Sequence, residues 1–196
     1  MPSPRQVVLA STSKYRRGLL ERLGMPFECA DPKLGEASLA GEAPASTALR
    51  LAEAKARAVA TRFPDALIIG SDQVASCDGG RLDKPGNHAN AARQLSLMGG
   101  RTAIFDTAVA LLDARSGRLH SRVVPCSVTF RPLTPALIDR YLSLEQPYDC
   151  AGSAKAEGLG IALIARIETD DPTSLIGLPL IALTDLLVQA GCDVLA

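Results

Sequence analysis

A short, wholly apolar run, Ala66-Leu67-Ile68-Ile69, ends at Gly70 and is followed at once by the polar residues Ser71-Asp72-Gln73. An uninterrupted apolar run of this length is typical of a strand buried on both faces, as in the sheet of an α/β protein. Ligands of such proteins commonly bind beyond the strand ends. We therefore predict that the strand ends at Gly70 and that Asp72 lies at the rim of the sheet. A carboxylate there can hold a metal ion or deprotonate a water molecule, although a loop aspartate that caps the next element is an equally good interpretation of the run alone.

Length and composition fit a single domain over residues 1–196. The chain is 47% hydrophobic and 21% charged, which is ordinary for a globular protein, and its length suffices to bury a core. Positive and negative formal charges cancel, so no overall field attracts nucleic acid or an anionic membrane, and an anionic ligand must be held by local cations. Five scattered cysteines without a CxxC pair disfavour a zinc site and a disulfide framework, and favour a reducing cytoplasm. We expect neither a signal peptide nor a membrane span.

The apolar patterns and helix-capping signals predict an alternation of strands and helices. Strands are predicted at 6–10, 27–30, 66–69, 103–114, 119–130 and 160–167. Helices are predicted at 14–23, 45–63, 88–98, 135–144 and 179–190. A hairpin signature at 115–118 joins the two longest strands. The order predicts an α/β fold around a mixed sheet with an antiparallel extension.

Two arginines at the start of the first predicted helix indicate an anion site. Arg16 and Arg17 follow the hydroxyl cluster Ser11-Thr12-Ser13. The N-terminus of a helix carries free N–H groups and the positive end of the helix dipole, so cations are unfavourable there unless an anion binds. Two exposed arginines in water remain the alternative.

Two lysines further along the chain are candidates for the same anion. Lys55 shares a helical stripe with Leu51 and Val59, which places it on or beside the apolar face. Lys84 lies in a predicted loop, before Pro85. Each lysine could extend into solvent or reach a phosphate, and the sequence pattern leaves both possibilities open.

Several common catalytic motifs are missing from the sequence. There is no GxxxxGK[ST], no GxGxxG after a strand and no GxSxG. P-loop, Rossmann-cofactor and serine-hydrolase interpretations therefore have no support. His88 and His120 stand in no catalytic context, and we interpret both as surface residues.

Several spaced motifs follow one another along nearly the whole chain. They are Leu9-Ala10-Ser11-Thr12-Ser13 with Arg16-Arg17-Gly18-Leu19-Leu20, Leu51-Ala52 with Lys55-Ala56, Ile69-Gly70-Ser71-Asp72-Gln73-Val74, Lys84-Pro85, and Ile176-Gly177-Leu178-Pro179. With these motifs the chain resembles the Maf family of nucleotide pyrophosphatases, and the order of the motifs makes the resemblance specific. The chain looks most like the branch that hydrolyses 7-methyl-GTP, because of Ser11-Thr12-Ser13 with Tyr15, Gln73 after the aspartate, and Cys150-Ala151-Gly152-Ser153 leading to Lys155 and Glu157.

The resemblance implies a two-lobed mixed α/β fold with a central cleft, similar to that of inosine triphosphatases. It also implies a divalent cation (Mg²⁺ or Mn²⁺), a cytoplasmic location, a small-molecule nucleotide substrate and a possible homodimer. The implied reaction cuts a nucleoside triphosphate, 7-methyl-GTP, between the α and β phosphates to give the monophosphate and pyrophosphate. The alternatives are a dTTP/UTP pyrophosphatase of the same family and a nucleotide-sensing regulatory protein with little turnover.

The resemblance also assigns roles to individual residues. Those implied in catalysis are Asp72, as proton acceptor or metal ligand, with Lys55 and Lys84. Those implied in substrate binding are Ser11, Ser13, Arg16, Arg17 and Lys155. Those implied in base specificity are Tyr15, which could stack on the cationic 7-methylguanine, Gln73, and Glu157, which could accept hydrogen bonds from the guanine edge. The implied metal ligands are Asp72 and Glu36. We expect Arg16, Lys55 and Lys84 to converge on Asp72 once the chain is folded.

The sequence departs from the family pattern at two places. Gly35 precedes Glu36 where an Asp-Glu pair is common, so one possible carboxylate near the metal is missing. Asp106 and Ala108 stand where Tyr and Gly are usual, which bears on the geometry of that strand and not on the reaction.

Overall fold

Strand β3 is the centre of a seven-stranded mixed sheet in a computed structural model that describes residues 5–195. The strands are β1 (Val7–Leu9), β2 (Glu28–Cys29), β3 (Leu67–Cys77), β4 (Gly80–Leu82), β5 (Thr102–Asp113), β6 (Leu119–Phe130) and β7 (Ile164–Glu168). Their spatial order is β2-β1-β3-β5-β6-β7, with β4 paired to β3. β1 is parallel to β2 and β3, and the other pairs are antiparallel.

Five α-helices in residues 5–195 flank the sheet, and three of them start with a side-chain cap. The helices are α1 (Lys14–Glu21), α2 (Pro44–Val59), α3 (His88–Met98), α4 (Pro135–Glu145) and α5 (Leu180–Gln189). The side chains of Ser13, Asn87 and Thr134 accept hydrogen bonds from backbone N–H groups at the starts of α1, α3 and α4, which satisfies donors that a helix leaves unpaired. The predicted mixed α/β fold is confirmed. No helix formed by residues 5–195 is both long and apolar enough to cross a membrane.

Two details of the predicted strand pattern are wrong. The strand predicted at 160–167 starts only at Ile164, because Leu159–Leu163 forms a 3₁₀ helix. The short β4 was not predicted, since three residues give too little periodicity to detect. Asp106 and Ala108, the unusual residues of β5, pair normally with Val74 and Asp72 of β3.

The prediction that a strand ends at Gly70 is also wrong. β3 continues to Cys77 and pairs with β5 along its whole length, so Asp72 lies in the middle of the strand, opposite Ala108. Gly70 has a packing role instead. A Cβ atom added there would lie 2.0 Å from the carbonyl oxygen of Ala52 in α2, and a contact that short is not tolerated. Glycine therefore lets α2 lie directly against β3.

A gap in the sheet creates the cleft beside Asp72. β1 pairs with β3 only as far as Ile69, and β4 joins the same edge of β3 only at Ala75. Between these two points the described strands leave that edge of β3 unpaired. A place where neighbouring strands diverge is where α/β sheets commonly bind ligands. Asp72 therefore reaches a ligand-binding position through this gap and not at a strand end.

Apolar clusters pack on the two sides of this gap. One includes Leu95 of α3, Phe105 of β5 and Leu142 of α4. Another includes Leu20 of α1 and Leu183 of α5. The cleft thus runs between two separately packed lobes, as the sequence analysis expected.

We predict that Gly70→Ala lowers the free energy of unfolding by about 3 kcal/mol, because overpacking against the backbone of α2 forces the helix off the sheet. Gly18→Ala is the matched control. Gly18 lies inside α1, and a Cβ there meets nothing within 4 Å, so this variant should gain about 0.5–1 kcal/mol. Urea unfolding measures both. A Gly70→Ala protein as stable as the parent would contradict the packing role.

Candidate active site

The cleft has a volume of about 870 Å³ and gathers most of the residues that the sequence analysis selected. Those that line it are Ser11, Ser13, Tyr15, Arg16, Glu36, Lys55, Asp72, Gln73, Lys84 and Glu157. Arg17 and Lys155 do not line it. Arg16, Lys55 and Lys84 therefore share one cavity with Asp72, which is the convergence expected from the sequence.

At the base of the cleft, Lys55 is held between two carboxylates. Its Nζ donates a hydrogen bond to Asp72 Oδ1 at 2.6 Å and another to Glu36. The side chains of Lys55 and Asp72 are only 4% and 8% exposed, whereas that of Glu36 is 49% exposed. A buried ammonium group needs such partners, because an unpaired buried charge is very costly. The close approach of α2 at Gly70 brings the lysine stem within reach of β3.

The charges of the cleft act on one another. Burial would raise the pKa of the Glu36 carboxyl, but the hydrogen bond from Lys55 and the positive charges of Lys55, Lys84 and Arg16 lower it overall. Burial lowers the pKa of the Arg16 guanidinium, and the negative charges of Asp72 and Glu36 oppose that shift. Three cations from separate parts of the chain therefore act on the Glu36 carboxylate.

The start of α1 forms one wall of the cleft. The Ser13 Oγ caps the helix by accepting from Arg16 N at 3.4 Å, and the buried Ser11 accepts from Ser13 N at 3.1 Å. Arg16 Nε donates to the carbonyl oxygen of Gly177 at 2.8 Å, which orients the guanidinium towards the cleft.

Arg17 and Lys155, both predicted to bind substrate, have other partners. Arg17 pairs with Glu21 one helical turn away at 2.9 Å, and its side chain is 65% exposed. Lys155 pairs with Glu145 of α4 at 2.7 Å. Both cations are thus engaged outside the cleft lining, and their roles in substrate binding stay predictions.

On the other face of β3, two side chains hold the segment 174–177. Ser71 Oγ donates to the carbonyl oxygen of Gly177 at 2.9 Å. Gln73 Nε2 lies 2.9–3.1 Å from Thr107 Oγ1 and from the carbonyl oxygens of Ser174 and Leu175. The donors of Gln73 are thus committed to the protein itself, and its predicted role in base specificity stays a prediction.

Asp171 anchors the same segment and was missed by the sequence analysis. It is 2% exposed, and Oδ1 accepts from the backbone N–H and hydroxyl of Thr173, while Oδ2 accepts from Ile181 N at 2.7 Å and Ala182 N at 3.2 Å. It therefore caps α5 from outside the helix. A capping residue is normally recognised next to its helix, and here the intervening loop hides the signal.

Tyr15 on the α1 wall and Glu157 on the facing segment 149–157 are the groups suited to a base. Tyr15 donates its hydroxyl to Asp149 at 3.1 Å, and Lys14 Nζ lies 3.1 Å from the same carboxylate. Burial raises the pKa of the Tyr15 hydroxyl, so it stays protonated at neutral pH. Glu157 is exposed and has no hydrogen-bond or ion-pair partner within the described part of the chain. Its carboxylate is therefore free to accept from a ligand.

We predict that Asp171→Asn lowers the free energy of unfolding by about 2–3 kcal/mol, because an amide would turn a donor towards backbone N–H donors and leave them unpaired. Asp170→Asn, a neighbouring exposed carboxylate, should change stability by less than about 0.5 kcal/mol. Urea unfolding of both variants compares them. Equal midpoints would show that Asp171 does not anchor the loop.

The chain is similar to a known family and to named relatives over almost its whole length. Residues 6–190 match the family model described as Maf-like protein. The chain is 60% identical over 190 residues to the 7-methyl-GTP pyrophosphatase of Cupriavidus pinatubonensis, covering 97% of this chain and 95% of that one. It is 55% identical over 189 residues to the protein of the same name from Methylobacillus flagellatus, covering 96% and 98%. Among solved structures, the Staphylococcus aureus Ham1 protein aligns at a TM-score of 0.42 and 16% identity, over 65% of this chain and 71% of that chain. The chain belongs to the Maf family.

Proposed function

We propose that this protein hydrolyses 7-methyl-GTP between its α and β phosphates and releases 7-methyl-GMP and pyrophosphate. The observation that carries the proposal is the buried Lys55–Asp72 pair, which faces a cleft also lined by Arg16 and Lys84. The printed names of relatives that are 60% and 55% identical over almost the whole chain support the choice of substrate.

The cations of the cleft match the charge of the substrate. A nucleoside triphosphate carries about four negative charges, and in-line attack on phosphorus requires that they be neutralised. Arg16 is fixed by Gly177, whereas the exposed Lys84 has no ion-pair partner in the described residues. Arg16 therefore provides a fixed positive charge, and Lys84 provides one that can follow the phosphates.

Asp72 is the group suited to act on the attacking water. Its Oδ1 accepts from Lys55, and Oδ2 has no hydrogen-bond partner among the described residues. Oδ2 is therefore available to orient the water and to accept its proton. Lys55 keeps the carboxylate in place during this transfer. The same oxygen could instead bind a cation, so the role of Asp72 as proton acceptor or metal ligand is decided by experiment.

The two carboxylates also fit a divalent cation. Mg²⁺ in nucleotide enzymes is typically bound by one or two carboxylates, with water and substrate phosphates completing the octahedron. Asp72 and Glu36 provide that number, and residues 5–195 contain no cluster of three or more metal-ligating side chains. When bound, Mg²⁺ or Mn²⁺ would neutralise phosphate charge and lower the pKa of a coordinated water.

Base selection is assigned to Tyr15 and Glu157. The 7-methylguanine ring is cationic, so an aromatic face and a carboxylate both favour it over neutral bases. The Tyr15 ring is oriented by its hydroxyl, which donates to Asp149. Glu157, on the same cleft, can accept hydrogen bonds from the guanine N1–H and amino groups.

The proposal also covers the location of the protein in the cell, its class of partner and its assembly. The five cysteines are scattered and odd in number, which supports a cytoplasmic location. The zero formal charge supports a small-molecule partner over nucleic acid. A homodimer is the expected assembly in this family, and size-exclusion chromatography with light scattering tests it.

We predict that Asp72→Asn and Lys55→Met each lower the turnover of 7-methyl-GTP at least about 100-fold, since each removes a group from the reacting centre. The measurement is pyrophosphate release with added Mg²⁺ or Mn²⁺. Asp185→Asn, an exposed carboxylate on α5, is the control and should keep full activity. Retained turnover in Asp72→Asn would reject the proposed chemistry. An inactive parent with tight nucleotide binding would favour a regulatory protein.

We also predict that Glu157→Gln lowers kcat/KM for 7-methyl-GTP about tenfold or more, because an amide cannot accept two hydrogen bonds from the guanine edge. The values of kcat/KM for dTTP and UTP should change little. Glu168→Gln at the exposed end of β7 is the control. An unchanged ranking of substrates would remove Glu157 from the site, and a parent enzyme that prefers dTTP or UTP would assign the protein to the other branch.

A further inference from the structure

Two amide side chains on one face of α3 hold the backbone around Lys84. Asn90 Nδ2 donates to the carbonyl oxygen of Pro85 at 2.8 Å, and Gln94 Nε2 donates to that of Asp83 at 2.8 Å. Residues four apart on a helix lie on the same face, and the two carbonyl groups lie on either side of Lys84. The loop that presents Lys84 to the cleft is therefore fixed to α3 at both ends.

Gln94 makes a second contact that Asn90 does not make. Its Oε1 accepts from Ser153 Oγ at 2.6 Å. Ser153 is completely buried and has a φ of 57°, a left-handed conformation that a residue other than glycine adopts only when its surroundings hold it. Its neighbours Ala151 and Ala154 line the cleft, and the same segment leads to Glu157. One side chain thus joins the Lys84 loop to the base-side segment 150–157.

Gln94 itself is not part of the cleft lining, so it acts through other residues. A backbone hydrogen bond from Gly86 N to the carbonyl oxygen of Tyr148, at 3.0 Å, links the same two regions further out. Loss of the Gln94 contacts would therefore loosen the connection between them without separating them. What changes is the precision with which the backbone segments that carry Lys84 and Glu157 are held relative to each other.

We propose that Gln94 is a positioning residue for substrate selection. By holding the phosphate-side Lys84 and the base-side segment 150–157 in one arrangement, it favours a nucleotide whose phosphates and base fit both walls at once. Small displacements of positioned groups cause large losses in rate, and a selective site loses most on its best substrate. The inference rests on the proposed function and deepens it.

The test compares three variants on 7-methyl-GTP and GTP. Gln94→Met keeps the side-chain length but removes both hydrogen bonds, and we expect the ratio of kcat/KM for 7-methyl-GTP over GTP to fall about tenfold, equivalent to about 1.4 kcal/mol. Asn90→Ala loosens only the Lys84 loop. It should therefore lower kcat/KM for both nucleotides by the same factor and leave their ratio unchanged. Gln189→Met, on the exposed end of α5, is the control and should leave kcat/KM for both nucleotides unchanged.

A double-mutant cycle isolates the contact with Ser153. Ser153→Ala removes only the hydrogen bond to Gln94, so it should lower the same ratio, and the double variant should lose no more than Gln94→Met alone. Amide hydrogen exchange gives a readout independent of activity. In Gln94→Met, exchange should rise in 83–86 and in 150–157 together.

The outcomes separate the two proposals. An active parent whose ratio is unchanged in Gln94→Met, or a variant in which only one of the two segments exchanges faster, overturns the positioning role. A lower melting temperature with an equal loss on both nucleotides also overturns it, because it shows a purely structural role. A parent that releases pyrophosphate from no triphosphate overturns the proposed function instead, and hydrogen exchange then still tests the coupling of the two walls.

Discussion

The site depends on the close approach of α2 to β3 at Gly70. Gly70 has no Cβ to press against the backbone of Ala52, and Lys55 on the same helix reaches Asp72. A buried ion pair of this kind contributes little net stability, but breaking it by removing one partner costs about 3–5 kcal/mol. Here the pair places two fixed charges at the base of the cleft. The packing at one glycine therefore helps to place the Lys55–Asp72 pair of the candidate site.

The helices were predictable from the sequence because their signals are local. Ser13, Asn87 and Thr134 cap helices within a few residues of themselves, and a sequence pattern records that directly. The end of β3 was not predictable in the same way. Gly70 has the sequence signature of a strand terminator, yet its role is a contact with a helix made earlier in the chain, which no local pattern reveals. The apolar run therefore predicted the strand correctly but placed its end at the wrong residue.

The candidate site also combines local contacts, which the sequence can predict, with tertiary contacts, which it cannot. Arg16 and Arg17 are equivalent as residue types beside a hydroxyl cluster, but neighbouring positions on a helix point in different directions. Arg16 turns to Gly177 and Arg17 to Glu21. The Arg17–Glu21 spacing of four is a local signal that could have assigned Arg17 to the helix surface. The contact of Lys155 with Glu145 joins separate segments, and only the tertiary structure places it.

The two walls of the cleft are held by different kinds of interaction. Three of the groups proposed to act on the phosphates, Asp72, Arg16 and Lys55, lie on β3, α1 and α2, where a strand backbone, a capped helix and buried charges fix them. The segment 150–157, proposed to face the base, is irregular and is held by a few side-chain contacts, among them that of Gln94 with Ser153. Irregular segments change with less disturbance to the core than strands do. Under the proposed function, phosphate chemistry can therefore stay constant on β3, α1 and α2 while base preference is altered in the segment 150–157. The proposed selectivity then depends on the contacts that hold these two parts of the cleft together.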